Sequence, residues 1–351
     1  MSYIPKPQVR TPALRANSVG LTRRDYEGAF STLCAGCGHD SITAAIIQAF
    51  WELEIEPHKV AKLSGIGCSS KTPAYFLKQA HGFNGVHGRM PAVATGVSAA
   101  NRELKLIGVS GDGDSLSIGL GQLCHAIRRN INALYIVENN GVYGLTKGQF
   151  SASADPGSTN KQGTPNTMEA IDGVLLALSL GATFVARSFS GDKDQLVPIL
   201  KAGLLHQGFA FVDVVSPCVT FNDHVGSTKS YAYTREHAVE VVHADLILPK
   251  EEITADYEPG SENRVTMHDG STVRLHKVAE DYDPSDRDRA YNYVRSKQRA
   301  GELVTGMLYL STESRDMMEQ LGAVPEPLIS VPYSDLCPGS EELARLQERF
   351  R

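Results

Sequence analysis

The sequence predicts an α/β fold, a mostly parallel sheet flanked by helices, followed by an irregular C-terminal extension. Three observations carry this. Leu104–Val109 and Ala133–Val137 are apolar runs broken only by Lys105, as expected of strands buried on both faces. Between them Ser115–Arg129 repeats its apolar residues at helical spacing. Both runs end in polar loops, Ser110-Gly111-Asp112-Gly113-Asp114 and Glu138-Asn139-Asn140-Gly141. A strand–loop–helix–strand–loop unit of this kind builds parallel sheets.

The other elements follow in order. The first 24 residues carry Lys6, Arg10, Arg15, Arg23 and Arg24 and no acid. No apolar stretch follows them, and Pro5, Pro7 and Pro12 break any targeting helix, so an extended arm is expected and no secretory leader. Residues 39–54 place Ile42, Ala45, Ile46, Ala49, Phe50 and Leu53 on one helical face. Val60–Leu63 is a short strand running into Ser64-Gly65-Ile66-Gly67-Cys68. Ser115–Arg129 begins at Asp114 or Ser115 as N-cap and ends on two arginines. Residues 168–182 form another helix and Phe209–Val215 another buried strand, so the α/β domain spans 25–235. In 236–351, Arg264–Leu275 alternates around Asp269-Gly270 as a hairpin does, 280–288 is acidic and exposed, and Glu341–Phe350 is a last helix. No internal repeat is present.

Composition excludes several classes. The net charge is −6, and residues 251–290, with eleven acids against five basic residues, account for all of it. A broad nucleic-acid-binding surface is therefore not expected. No run of eighteen apolar residues exists, so no membrane span is expected and the cytoplasm is the expected compartment. Six cysteines are too few for a disulfide scaffold. Clustered, they point to metal or redox chemistry.

Two constellations carry chemistry. In the first, Gly111-Asp112-Gly113 follows one buried strand and Asn140 the next, with twenty-six residues between Gly113 and Asn140. Gly-Asp-Gly alone is only a tight turn. Two strand ends side by side offer Asp112 and Asn140 as oxygen ligands for magnesium, with the Val142 carbonyl as a third. The glycines admit a diphosphate close to the backbone, and the following helix start presents free N–H groups to it. In the second, Cys34-Ala35-Gly36-Cys37-Gly38-His39 opens a helix. Such a pair serves zinc, redox chemistry or half of an iron–sulfur site. Of the other cysteines, Cys124 falls on an amphipathic helix as core, Cys337 near a loose end, and Cys68 and Cys218 at strand ends.

Together these motifs resemble a known family. Gly-Asp-Gly, roughly 25 residues and Asn-Asn resemble the diphosphate-binding motif of thiamine diphosphate enzymes. With Cys-Ala-Gly-Cys-Gly-His, Gly-Ile-Gly-Cys-Ser-Ser-Lys, His-Gly-Arg and Asn-Asn-Gly-Val-Tyr-Gly-Leu-Thr, residues 25–235 resemble the β subunit of 2-oxoacid:ferredoxin oxidoreductases, nearest the 2-oxoglutarate type. The resemblance implies a thiamine diphosphate-binding fold, Mg²⁺, and one [4Fe–4S] cluster on Cys34, Cys37, Cys68 and Cys218. It implies cofactor contacts at Ile66, Gly67, Cys68 and Ser69, at His87 and Gly88, at Gly111 through Asp114, and at Gly144 and Leu145. His39 is either a structural helix-start residue or a contact to cofactor or cluster. Lys71 would hold a substrate carboxylate, against the plain reading of a surface lysine.

The implied reaction is reversible oxidative decarboxylation of a 2-oxoacid with coenzyme A, with electrons passing through the cluster to ferredoxin. No glutamate that would activate the aminopyrimidine can be assigned in this chain. In the family it comes from an α subunit, so a heterodimer, and a dimer of these, is expected. Two other classes compete: a non-redox thiamine diphosphate decarboxylase or carboligase, and a zinc-binding scaffold subunit.

Overall fold

The computed structural model describes residues 14–160, 162–224, 226–240, 262–266, 272–276, 282–337 and 339–350. Its centre is an eight-stranded sheet. In chain order the strands are β1 (Val60–Ser64), β2 (His81–Asn84), β3 (Lys105–Gly111), β4 (Ala133–Asn139), β5 (Phe184–Phe189), β6 (Phe209–Val215), β7 (Ala238–Glu240) and β8 (Leu303–Leu310). The spatial order is β2-β1-β3-β4-β6-β5-β8-β7. Every neighbouring pair is parallel except β5 with β8.

Helices cover both faces, which is why β1, β4, β5 and β6 are buried along their whole length. On one face lie α1 (Gly38–Glu52) and α5 (Lys193–Leu205). Ile42, Ile46 and Phe50 of α1 and Leu196, Ile199 and Leu200 of α5 pack there against Val109, Ile136 and Val212. The other face holds α2 (Met90–Ala100), α3 (Leu120–Arg129), α4 (Gly173–Leu180) and α6 (Arg287–Arg299). Asp172 caps α4 by accepting from the amides of Val174 and Leu175, and Gly181 ends it at φ 81°.

Part of the chain beyond residue 235 enters this core. Ala290 and Val294 of α6 and Val304 and Leu308 of β8 belong to the same buried cluster as Leu123 and Phe211. The 262–266 and 272–276 segments pair antiparallel, as their alternation predicts; the Asp269-Gly270 turn lies outside the described residues. Residues 1–13 of the basic arm, and most of the acidic stretch before 282, also lie outside them. No helix among the described residues is long and apolar enough to cross a membrane.

One local expectation is corrected. Neither Asp114 nor Ser115 caps the helix that ends at Arg129. The chain winds from Gly113 as a π-turn to Ile118, and the α-helix proper begins at Leu120. The carboxylate of Asp114 is drawn elsewhere: it accepts from the Gly88 amide at 2.7 Å and from Ser110 Oγ at 2.6 Å. Wide π-turns within helices recur at functional sites.

Candidate active site

The topology places four chemistry-bearing loops at one edge. Cys68 follows β1, Asp112 follows β3, Asn140 follows β4 and Cys218 follows β6, four strands adjacent in the sheet. In open parallel sheets this carboxyl edge is where ligands bind. A small pocket opens there. It is lined by His39, Ile66, Gly67, Cys68, Ser69, the Gly111–Asp114 turn, Glu138, Asn140, Val142, Tyr143 and Gly144.

Asp112 lies at its floor, only 1% exposed. Its carboxylate accepts from the amides of Asn140 (3.3 Å) and Gly141 (3.0 Å), from Ser153 Oγ (2.7 Å) and from Ser151 Oγ. Burial pushes the Asp112 carboxyl above its usual range, and the two serine hydroxyls and the Asn140 amide pull against that. A bound divalent cation would favour the ionised form in the same way. Asn140 Oδ1 accepts from the Val142 amide at 3.1 Å, and Asn222 Nδ2 holds the Asn140 carbonyl at 2.8 Å. A carboxylate, an amide oxygen and the Val142 carbonyl in one pocket are hard oxygen donors, and they fit a magnesium–diphosphate group. The close approach also depends on glycine. A Cβ on Gly113 would lie 2.5 Å from the Tyr143 ring, whose hydroxyl donates to the Gly113 carbonyl at 2.9 Å.

The cysteines approach the pocket from its other side. Cys37 is the residue before α1, and the Gly38 amide meets the Pro217 carbonyl at 3.5 Å, bringing the first pair against the Cys218 loop. Thr220 Oγ1 lies 3.7 Å from Cys34 Sγ. Cys68 and Cys218 meet over Gly144, where an added Cβ would stand 3.4 Å from Cys68 Sγ and 3.7 Å from Cys218 Sγ. All four thiols are free. Burial pushes Cys37 up to about 12, with Glu138 and Cys218 adding to the rise. Burial also raises Cys68 and Cys218; Lys71 offsets part of the rise at Cys68. Loading a metal centre here would therefore release protons. Cys124 is half-buried on α3 and Cys337 is exposed, both away from this pocket. Among the described residues no three His, Cys, Asp or Glu side chains stand close enough to share one metal ion.

Other expected contacts fall around the rim. His87 Nδ1 lies against the Asp114 carboxylate without a hydrogen bond to it, and its ring meets Tyr143 edge-on at 6.1 Å. Gly88, at φ 72°, packs where a Cβ would sit 2.7 Å from the Gly119 amide nitrogen. Leu145 is 48% exposed beside the pocket. Lys71 is half-exposed on the turn Ser69–Lys71; its amide donates to the Cys68 carbonyl at 3.1 Å, and its side chain makes no hydrogen bond or ion pair with another described residue.

Sequence reasoning missed a buried polar group in this pocket. Glu138 is fully buried; Thr72 Oγ1 donates to its carboxylate at 3.0 Å, and His39 Nδ1 lies 3.5 Å away. Burial drives Glu138 well above the usual carboxylate range and His39 down to about 4. His39 is therefore neutral near pH 7, and the contact between them is not an ion pair. A glutamate closing an otherwise apolar strand was the available signal. Ser151 and Ser153, which sit far along the chain from Asp112, left none.

The comparisons with known proteins agree with this geometry. Residues 65–214 match the family described as thiamine pyrophosphate enzyme, C-terminal TPP binding domain. The chain is 45% identical over 195 residues to 2-oxoacid:ferredoxin oxidoreductase 1, subunit beta, of Aeropyrum pernix, covering 55% of this chain and 61% of that protein. It is 43% identical over 208 residues to the 2-oxoacid:ferredoxin oxidoreductase subunit beta of Saccharolobus solfataricus, covering 59% of this chain and 68% of the relative. The chain belongs to this family of β subunits. Its fold matches, at a TM-score of 0.71 and 28% identity, a chain of the structure of 2-oxoglutarate:ferredoxin oxidoreductase from Magnetococcus marinus with 2-oxoglutarate, coenzyme A and succinyl-CoA bound. That match covers 93% of this chain and 98% of the other. Against the Aeropyrum and Saccharolobus family members, the matched stretch spans about three-fifths to two-thirds of their length. Residues 65–214 are thus a thiamine diphosphate-binding domain of a family β subunit.

Proposed function

We propose that the chain is the β subunit of a coenzyme A-dependent 2-oxoacid:ferredoxin oxidoreductase, acting on 2-oxoglutarate to give succinyl-CoA and carbon dioxide. The observation that carries this is the shared wall at Gly144. This residue lines the Asp112–Asn140 pocket, and a Cβ there would touch the sulfurs of both Cys68 and Cys218. A thiamine site and a cysteine site thus adjoin with no side chain between them at that point.

Asp112, Asn140 and the Val142 carbonyl would hold Mg²⁺ and through it the diphosphate, while Ile66, Gly67 and Ser69 line the pocket wall. Thiamine diphosphate supplies the carbanion and electron sink for decarboxylation, and a [4Fe–4S] cluster on Cys34, Cys37, Cys68 and Cys218 would take electrons singly toward ferredoxin. The buried Asp114 fixes the His87-Gly88 loop at the rim. Lys71, free to turn toward the pocket, would pair with the distal carboxylate of the substrate. A relative from Mycobacterium tuberculosis, 38% identical over 246 residues, is named 2-oxoglutarate oxidoreductase subunit KorB, which supports this substrate. An α subunit would supply the activating glutamate and the coenzyme A site, in a dimer of heterodimers in the cytoplasm.

The test is anaerobic co-purification with the α chain, followed by iron and sulfide analysis and a substrate panel. We expect about four irons per β chain, as one [4Fe–4S] cluster requires, with coenzyme A-dependent reduction of ferredoxin fastest with 2-oxoglutarate. A colourless complex without iron would remove the oxidoreductase reading, and full turnover by the β chain alone would remove the heterodimer.

A further inference from the structure

We propose that Glu138 is a positioning residue that ties three cysteine-bearing segments to the strand end carrying the metal ligand Asn140. The inference rests on the reading of the cysteines as a cluster site.

The geometry is that of a hub. Side chains alternate along a strand, so Glu138 and Asn140 point to one side of β4 and Asn139 to the other. Glu138 and Asn140 accordingly line the thiamine pocket, while Asn139 bonds to Asp213 at 3.0 Å and lines a separate cavity. From this position the Glu138 carboxylate accepts the Thr72 hydroxyl at 3.0 Å to each oxygen. Thr72 begins the helical turn that follows Cys68 and Lys71. On the other side Glu138 Oε2 lies 3.5 Å from His39 Nδ1, and the same nitrogen hydrogen-bonds Ser216 Oγ at 2.6 Å. His39 is two residues after Cys37, and Ser216 two residues before Cys218. Each of these four side chains is at most 1% exposed.

Buried polar networks act cooperatively, and leaving a member unpaired is expensive, so such a hub specifies one arrangement of the segments it joins. The segments also pack closely here: a Cβ on Gly38 would collide with Ser216 Oγ and Ser190 Oγ. One carboxyl thereby sets where Cys37, Cys68 and Cys218 stand relative to Asn140, and so relates the cluster site to the diphosphate site.

The test compares Glu138→Ala, Glu138→Gln and Thr72→Val in the complex with its α chain, purified anaerobically. Three quantities are read: iron per β chain, the EPR spectrum of the reduced complex, and the affinity for thiamine diphosphate at saturating Mg²⁺. Glu138→Ala should lower iron content and weaken thiamine diphosphate binding together, the latter by about 10- to 100-fold as for other residues that support metal ligands. Glu138→Gln keeps an oxygen for the Thr72 hydroxyl and should restore both. Thr72→Val should shift the EPR spectrum and weaken binding in the same direction as Glu138→Ala. If Glu138→Ala does not fold, Thr72→Val carries the test alone. Wild-type iron, spectrum and affinity in the alanine variant would overturn the proposal, as would loss of only one of the two ligands, or a glutamine variant as defective as alanine. A wild-type complex without iron would instead remove the cluster reading on which the proposal stands.

Discussion

Replacing Asp112 by asparagine tests the diphosphate anchor most directly, because the structure forbids the amide. One carboxylate oxygen of Asp112 faces the Asn140 amide and the other faces the Gly141 amide. Whichever way an asparagine turns, its NH₂ meets a backbone N–H. The two serine hydroxyls can rotate to accept, but the backbone cannot. A buried donor left facing a donor costs about 1–3 kcal/mol of stability. The effect on binding is larger. The variant loses the anionic oxygen that would meet the metal, and its nitrogen is no ligand for magnesium. We expect thiamine diphosphate to bind at least about 100-fold more weakly, or about 2.7 kcal/mol. The fold should survive with a melting temperature lower by a few degrees, at about 2–4 °C per kcal/mol or less for a chain of this size. Calorimetric titration of thiamine diphosphate into the complex, at several Mg²⁺ concentrations, measures both affinity and metal dependence. Asp112→Ala should show the same loss of metal dependence. If Asp112→Asn binds the cofactor as wild type does, with unchanged dependence on Mg²⁺, Asp112 is not the metal ligand and the pocket has been misread.

Three further outcomes follow from the same geometry. Cys218→Ala should abolish the iron–sulfur absorption band while thiamine diphosphate still binds; a retained band would remove Cys218 from the ligand set. Lys71→Met should raise KM for 2-oxoglutarate far more than for pyruvate in the reconstituted complex, and equal effects on the two would leave Lys71 without a role in the distal carboxylate. His206, hydrogen-bonded to Thr183 Oγ1 at 2.8 Å, is lowered by burial from 6.5 to about 4. As pH falls from about 6.5 to about 4 the unfolded chain takes this proton and the folded chain does not, so the fold loses stability through that window. The stability advantage of wild type over His206→Gln, from denaturant titrations, should shrink across the same range; a constant difference would show that His206 titrates normally.

What could be read from the sequence, and what could not, divides along physical lines. β1, β3, β4 and β6 were legible because burial on both faces demands continuous apolar runs. The loops after them were legible because metal and diphosphate chemistry requires particular residue types at strand ends. β2 was not, because all four of its residues are exposed at the sheet edge and no burial pattern marks them. β8 and α6 were not, because α6 buries only Ala290 and Val294, and only the fold shows that β8 returns antiparallel beside β5. The Asp114 expectation failed for a related reason. A cap rule considers local amides only, whereas Ser110, Gly88 and His87 compete for this carboxylate from elsewhere in the chain. Glu138 joins both kinds. Its place at the end of a buried strand marks it as unusual, but its two contacts come from residues 39 and 72, with Ser216 bonded in turn to His39, and all meet only after the sheet has formed. The ligand atoms of this site are thus written in short motifs. The contacts that hold those motifs at fixed distances are long-range, and a substitution in the second group can disable the site while every motif stays intact.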